Sequence, residues 1–310
     1  MKSFKYQIFI QRSAKMVFLL FSFMTGAFLT AKAQQPFTYT QYMNNGTPLN
    51  AAYSLLDKAG TVNLTGRKQW TGIDGTPETF LFTGAIPIEK LGASAGLVIS
   101  HDKVTIEKQT SINAFFAKSV QLDRNTFLAA SFSAGIRSFK APYSELDPSD
   151  VSFKQNVSET SGTIGLGVML YNPDRFYIGA SLPGLRLNKK DQNGNTVKNT
   201  WYFSGAYLFD GGTGVKFKPS VLLTYTPDLK TQEDVSLMFY MMEDQLGLGA
   251  NYRTTKEVAG IVSYAFKNNL TIGYSYQTGV GDQRVGGLGN STHEVSLTFR
   301  FGRDLQHKLL

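Results

Sequence analysis

From residue 60 onward the chain is a succession of short segments in which apolar and polar residues alternate, and no long apolar run follows residue 33. The last segment is the clearest. Val295, Leu297, Phe299 and Phe301 alternate with Glu294, Ser296, Thr298 and Arg300. Successive side chains of a strand point to opposite faces, so such a segment has one apolar face and one wet face. Repeated along a chain, this pattern predicts a closed sheet with lipid outside and polar side chains inside.

About fourteen such segments are predicted, near 60–70, 78–87, 91–100, 109–119, 125–138, 160–171, 174–182, 200–210, 214–226, 233–241, 245–253, 257–266, 269–278 and 292–301. Val62 and Leu64 oppose Asn63, Thr65 and Arg67. Likewise Val235, Leu237 and Phe239 oppose Ser236 and Tyr240. The longest connections, 101–108, 139–159, 183–199 and 279–291, all follow odd-numbered segments, and the connections after even-numbered ones are short. Bacterial barrels carry short periplasmic turns and longer outer loops, so the long loops are expected on the outer face and both termini in the periplasm. Trp70, Tyr171, Phe176, Trp201, Phe209, Tyr225 and Phe266 fall near segment ends, where interfacial aromatic girdles are expected.

The first 33 residues read as a signal peptide. Lys2, Lys5, Arg12 and Lys15 precede an uncharged apolar stretch, Met16 to Thr30, and then Ala31-Lys32-Ala33, a small-x-small cleavage site. Without 1–33 the chain keeps 26 basic and 23 acidic residues, a net charge of +3, which gives no argument for nucleic acid as a partner. There is no Cys, so disulfides, thiolate chemistry and lipidation at a cleavage-site cysteine are excluded.

The predicted organisation is a signal peptide over 1–33, an N-terminal segment over 34–59, a barrel over 60–301 and a tail over 302–310. Segment 34–59 lacks strand alternation yet carries Tyr39, Tyr42, Met43, Leu49 and Tyr53. Fourteen strands enclose a lumen wide enough for solutes unless something fills it. Segment 34–59 is therefore expected to pack inside the barrel or across its periplasmic mouth.

The residues do not point to an enzyme. His293 beside Glu294 would need a nearby Ser to form a nucleophile–base pair, and no Gly-x-Ser-x-Gly elbow occurs. Asp191-Gln192-Asn193-Gly194-Asn195 spaces oxygens as calcium loops do, but lacks the distal Glu and reads as a turn. No metal, cofactor or catalytic residue is assigned. Loop 139–159 carries Glu145, Asp147, Asp150 and Glu159, and loop 183–199 carries Arg186, Lys189, Lys190 and Lys198, a mixed surface for a partner. Trp70, Asp74, Tyr143, Asp147 and Arg186 are the candidate partner-binding residues, since large aromatics and Arg dominate interface energies.

Several blocks resemble a known family. Gln35 with Gln41-Tyr42-Met43, Asn50-Ala51-Ala52-Tyr53, and Gln69-Trp70-Thr71-Gly72 with Asp74-Gly75-Thr76-Pro77 are similar to the start of the PorP/SprF family. Those are outer-membrane proteins of the type IX secretion system of Bacteroidota. Phe176 to Pro183 and His293 to Leu297 are similar to its later blocks. The resemblance implies an outer-membrane barrel that aids export and surface anchoring of secreted proteins such as gliding adhesins, held through their C-terminal secretion domain. It also implies association with periplasmic parts of the machine. The alternative that stays open is an outer-membrane channel or hydrophobic-solute transporter, similar in strand number to long-chain fatty-acid transporters.

Overall fold

The computed structural model describes residues 38–72, 74–145, 156–187, 198–212, 214–267, 269–280, 291–302 and 309–310. The strands are β1 (Gly60–Lys68), β2 (Glu78–Ile88), β3 (Ala93–Val104), β4 (Glu107–Asp123), β5 (Thr126–Ala141), β6 (Val157–Asn172) and β7 (Phe176–Arg186). Then follow β8 (Trp201–Tyr207, continued past Leu208 by Phe209–Asp210), β9 (Lys216–Tyr225), β10 (Gln232–Met241), β11 (Leu246–Arg253), β12 (Glu257–Ala265), β13 (Leu270–Gly279) and β14 (Thr292–Phe301). Each strand pairs antiparallel with its chain neighbours. The ring closes where β1 meets β14, over nine residue pairs from Gly60 opposite Phe301 to Lys68 opposite His293. The protein is a closed fourteen-stranded antiparallel barrel.

Alternation runs through the wall with its usual sense inverted. On β14, Glu294 is fully buried and Ser296 nearly so, while Val295, Leu297 and Phe299 are 39–47 % exposed. Around the ring, Leu64, Phe82, Ile99, Ile112 and Ile136 are successive register partners on the outer face. Thr65, Ser131, Thr163, Ser181, Ser236 and Gln277 face inward and are buried. A continuous apolar exterior of this extent requires an apolar solvent, and closure leaves no strand edge unpaired within it. The crossing elements are strands: among the described residues no helix is long and apolar enough to cross a membrane.

The longest strands exceed the sequence-based ranges because their ends are polar. The segment 101–108, expected to be a loop, is strand up to Val104 and again from Glu107, joined by a two-residue turn at Thr105-Ile106. His101 and Lys103 remain in register with Thr110 and Lys108 although their side chains lie beyond the apolar belt. Pairing continues past the point where lipid contact ends, and charge in an alternating segment does not end a strand. The remaining long connections after odd strands span 142–156, 187–200 and 280–291, and the connections after even strands have two to five residues.

Outward aromatics cluster near both rims. Trp201, Tyr225, Tyr252, Tyr274 and Tyr276 stand toward the rim formed by the connections after odd strands, here the odd rim. On the opposite side Phe217 stacks between Phe209 and Phe239, with centroids 5.9 and 4.9 Å apart. Tyr171, expected in a girdle, faces the lumen. It is 4 % exposed, and its ring stacks on Phe127 at 5.3 Å. His293 and Glu294 likewise separate. Adjacent strand residues face opposite ways, so His293 hydrogen-bonds the Tyr274 hydroxyl outside (2.8 Å) while Glu294 points in.

Leu297 lies near the middle of the apolar belt. The Leu297→Arg variant is expected to lose about 2–4 kcal/mol of stability, the cost of an arginine at the midplane of a lipid-facing wall. Urea titration of the barrel refolded in phospholipid vesicles measures it. The Thr298→Ser change on the inner face should leave the midpoint nearly unmoved.

Candidate functional site

The lumen is occupied by the chain's own residues from Thr38 to Leu56. Tyr39, Tyr42, Met43, Leu49, Ala52 and Leu56 are buried there, as are Thr40, Gln41, Asn45 and Asn50. Local chemistry shapes the segment. The Asn44 amide closes a turn on the Gln41 carbonyl at 2.9 Å. Asn50 caps the 3₁₀ turn Ala51–Leu55 by accepting from the Ala52 amide at 3.1 Å. Gly46 lets the backbone approach the Tyr53 ring, where a Cβ would lie 2.6 Å from it.

Hydrogen bonds reach the wall on many sides. The Thr40 and Gln41 amides donate to the two oxygens of Glu294 on β14, at 2.9 and 2.8 Å. Ser296 donates to the Gln41 side chain at 2.8 Å, and Thr40 donates to Gln277 on β13 at 2.8 Å. Asn45 donates to Asn63 on β1 at 2.9 Å. Asn50 donates to the Val168 carbonyl on β6 at 3.1 Å. Ser181 on β7 donates to the Leu49 carbonyl at 2.6 Å. Lys218 on β9 donates to the carbonyls of Met43, at 2.9 Å, and Leu309. Gln232 on β10 donates to Thr38 at 3.2 Å.

The wall supplies the charge. Arg67 lies 3.9 Å from Glu294 and donates to the Thr38 carbonyl. Arg253 donates to Asp234 at 2.7 Å and approaches Glu257 at 3.4 Å, and Gln232 donates to Asp234 at 2.8 Å. Buried ions of this kind persist only when paired and hydrogen-bonded. Two apolar clusters flank them. Tyr39, Tyr42, Met43 and Leu49 pack with Leu222, Met238 and Leu309 in one. Ala52 and Leu56 pack with Met169, Tyr177 and Leu310 in the other. Lumen-wall glycines give clearance. A Cβ at Gly273 would lie 2.2 Å from the Gln41 amide oxygen, and one at Gly167 would lie 2.3 Å from that of Asn50.

Of the candidate partner-binding residues, Trp70 is half-buried with φ +49° and Asp74 is exposed, both on the β1–β2 connection. That hairpin is tied down on both sides. Thr71 donates its amide to the Ser291 carbonyl, and Thr105 donates its own to the Gly75 carbonyl, each at 2.9 Å. Tyr143 donates to Glu107 at 2.6 Å, and this bond holds its phenol above the ordinary value. Arg186 is half-buried, with its backbone amide 3.4 Å from the Asn199 side chain. These four residues share the odd rim. Among the described residues no hydrogen bond or ion pair links one to another.

Asp147, Asp150, Asp191 to Asn195, Lys189, Lys190 and the signal peptide 1–33 lie outside the described residues. On the same rim Lys198 pairs with Asp228 at 2.8 Å and draws that carboxylate below its usual range. Sequence reasoning gave no site role to Arg67, Lys218, Asp234, Arg253 or Gln277. Their signal was charge or amide at the wet positions of otherwise near-neutral strands.

A family model described as type IX secretion system membrane protein PorP/SprF matches residues 31–299. The chain belongs to that family. No curated protein sequence matches the chain. Among solved structures, the PorP/SprF barrel is similar to the CymD monoaromatic hydrocarbon channel, with 12% identity, a TM-score of 0.55, and 84% of this chain and 93% of that chain covered. It also matches the Acinetobacter baumannii outer membrane protein Omp33 at 9% identity and TM-score 0.48, over 79% of this chain and 99% of that one. The Pseudomonas putida toluene transporter TodX follows at 13% and 0.47, over 82% and 92%. At such identity the CymD likeness shows the fold alone, an outer-membrane barrel.

Removing the Glu294 carboxylate takes the acceptor from two amides and the counter-charge from Arg67. Glu294→Ala is expected to cost about 3–5 kcal/mol, as for a buried pair robbed of one member. Limited proteolysis should then cut within 38–59, which the native barrel protects. Unchanged protection would show that the segment is held without this carboxylate.

Proposed function

We propose that this PorP/SprF barrel is a plugged docking protein of the type IX secretion system. It aids export and holds secreted proteins at the cell surface by binding their C-terminal secretion domain. The observation that carries the reading is the filled lumen. Hydrogen bonds from 38–59 reach β1, β6, β7, β9, β10, β13 and β14, so the interior serves as a rigid core rather than a path. A lumen cavity between this segment and β3–β7, lined by Pro48, Asn113, Ser133 and Ser181, holds about 40 Å³. That is room for water and not for a hydrocarbon. This weighs against the channel reading, whatever the fold shared with CymD.

Contacts with an exported protein then belong to the rims. The connections after even strands are short, as periplasmic turns of bacterial barrels are, and this supports reading the odd rim as the outward one. There Trp70, Asp74, Tyr143 and Arg186 supply aromatic and charged anchors beside the tied-down first hairpin. Periplasmic components of the machine would meet the opposite rim, and outer-membrane lipid the apolar wall.

Two experiments test this. Isolation in mild detergent with mass spectrometry should return a protein bearing a type IX C-terminal domain. Ala at Trp70, Tyr143 and Arg186 should each weaken its binding by more than about 1 kcal/mol if they are interface anchors. Recovery of the barrel alone sinks the reading. Separately, deletion of 38–55 should open conductance in planar bilayers where the full chain shows none. A folded deletion variant that does not conduct would count against the plug.

A further inference from the structure

A row of lysines on the outer face has no part in the lumen or in the docking rim. Lys68, Glu78, Lys103, Lys108 and Lys140 are direct register partners on β1 to β5, and all are exposed. Glu78 is two residues from the outward Phe80, so the row shares that outer face. Two residues nearer the belt lies the row Gly66, Phe80, His101, Thr110 and Ser138. Two further lies the apolar row Leu64, Phe82, Ile99, Ile112 and Ile136. The lysines therefore begin where the apolar belt ends.

Barrel geometry sets their height. Strands tilt by about 40°, so a registered row climbs about 3 Å per strand. Followed away from β2, the Lys68 row passes through His293, Tyr276 and Gly260 to Ala250, into the middle of β12 and β11. It descends in that direction and rises from β1 toward β5. Lys68 stands nearest the belt, and Lys103, Lys108 and Lys140 stand progressively farther out. The result is a cationic ramp.

The pairing of these lysines points to an anion on it. Lys68 is neutralised by Glu78 at 2.8 Å, but Lys103, Lys108 and Lys140 form no ion pair with a described residue. Like charges directly opposite each other across strands are destabilising, and here three stand in adjacent register. Beside the ramp is a recess of about 380 Å³, lined by Gly66, Lys68, Glu78, Phe80, His101 and Lys103. Gly66 leaves it open, since a Cβ there would meet nothing within 4 Å.

We infer that this ramp binds the phosphorylated headgroup of a membrane lipid, a glycolipid carrying more than one phosphate. Its acyl chains lie on the Ile99–Ile112–Ile136 row, the hydroxyls of Thr110 and Ser138 meet its sugars, and its phosphates meet the lysines at successive heights. A free phosphate would use the lysines but not the apolar row. An acidic protein segment would gain nothing from the continuity of the two.

Native mass spectrometry of the full barrel in nonionic detergent tests this. The probes are a diphosphorylated acylated glucosamine disaccharide, phosphatidylethanolamine, pyrophosphate and polyglutamate. The glycolipid should be retained at least about 10-fold more tightly than phosphatidylethanolamine, and K103Q/K108Q/K140Q should lose about 10-fold or more of that affinity, as expected of several basic residues at a membrane surface. K90Q/K267Q, in turns of the opposite rim, should bind as the native chain does. Heat-dependent gel mobility checks folding, and single Lys108→Gln replaces the triple variant if that fails to fold. Equal retention of both lipids, or undiminished glycolipid binding by the folded variant, overturns the inference. Pyrophosphate displacing the glycolipid at equal affinity would assign the ramp to free phosphate, and equal binding of polyglutamate would assign it to an acidic protein. Either result overturns the lipid assignment.

Discussion

A sheet that crosses lipid must pair every backbone amide and carbonyl, and in this chain that requirement is met only when β1 and β14 join. The seam then decides what else comes together. On its inner face it sets Arg67 opposite Glu294, and on its outer face Lys68 opposite His293. The inner pair is where the N-terminal segment attaches, through two backbone amides on one carboxylate. Residues from the first and last strands thus hold both the closure and the filling of the barrel. At the other end of the same seam Arg300 binds Asp57 at 2.6 Å, fixing the point at which the chain leaves the lumen and enters the wall.

The division of charge follows from this. Thr38 to Leu56 contains no ionisable carboxylate or basic side chain, while the wall facing it carries Arg67, Lys218, Asp234, Arg253 and Glu294. Charged plug residues would each need an exact partner in a closed space. Uncharged amides, carbonyls and hydroxyls can solvate wall charges from several directions. The segment acts as an ordered substitute for the water that would otherwise fill a polar lumen. Tyr39, Tyr42 and Met43 supply apolar contact that water would not.

Strand number, face assignment and nearly every strand were legible because a period of two over eight to ten residues fixes the face of every side chain and bars any one-residue slip of pairing. The 292–301 segment shows this most plainly. The readings that failed did so where a side chain's surroundings, and not its face, were in question. His101 and Lys103 read as loop residues because the apolar alternation of the strand stops at Ile99. Tyr171 looked interfacial because its place near a strand end was visible and its parity with Tyr177 and Phe127 was not weighed. Among the site residues, the alternation marked Arg67 and Glu294 as inward. Nothing in either strand alone indicated that they face each other, which depends on closure between residues more than two hundred apart. The missed lumen charges are of the same kind. Alternation says which way a residue points and is silent about what stands opposite it.

A barrel with a filled lumen must do its work from its surfaces, and the three surfaces here differ in how firmly they are built. The lipid face is a continuous sheet. The even rim is a set of short turns with limited relief. The odd rim is raised on one side, where β3 to β6 run beyond the apolar belt, and there the first hairpin is braced against Ser291 and Thr105. Bracing lowers the ordering cost of any contact made through that hairpin, so a partner engaging Trp70 meets a surface already in place. The lysine ramp climbs the outside of the same raised strands. A lipid seated on it would pack against the wall directly beneath the docking rim. On the readings proposed here, membrane composition and partner binding therefore act on one stretch of sheet, β1 to β5, and a change in either is felt where the strands are longest and least covered.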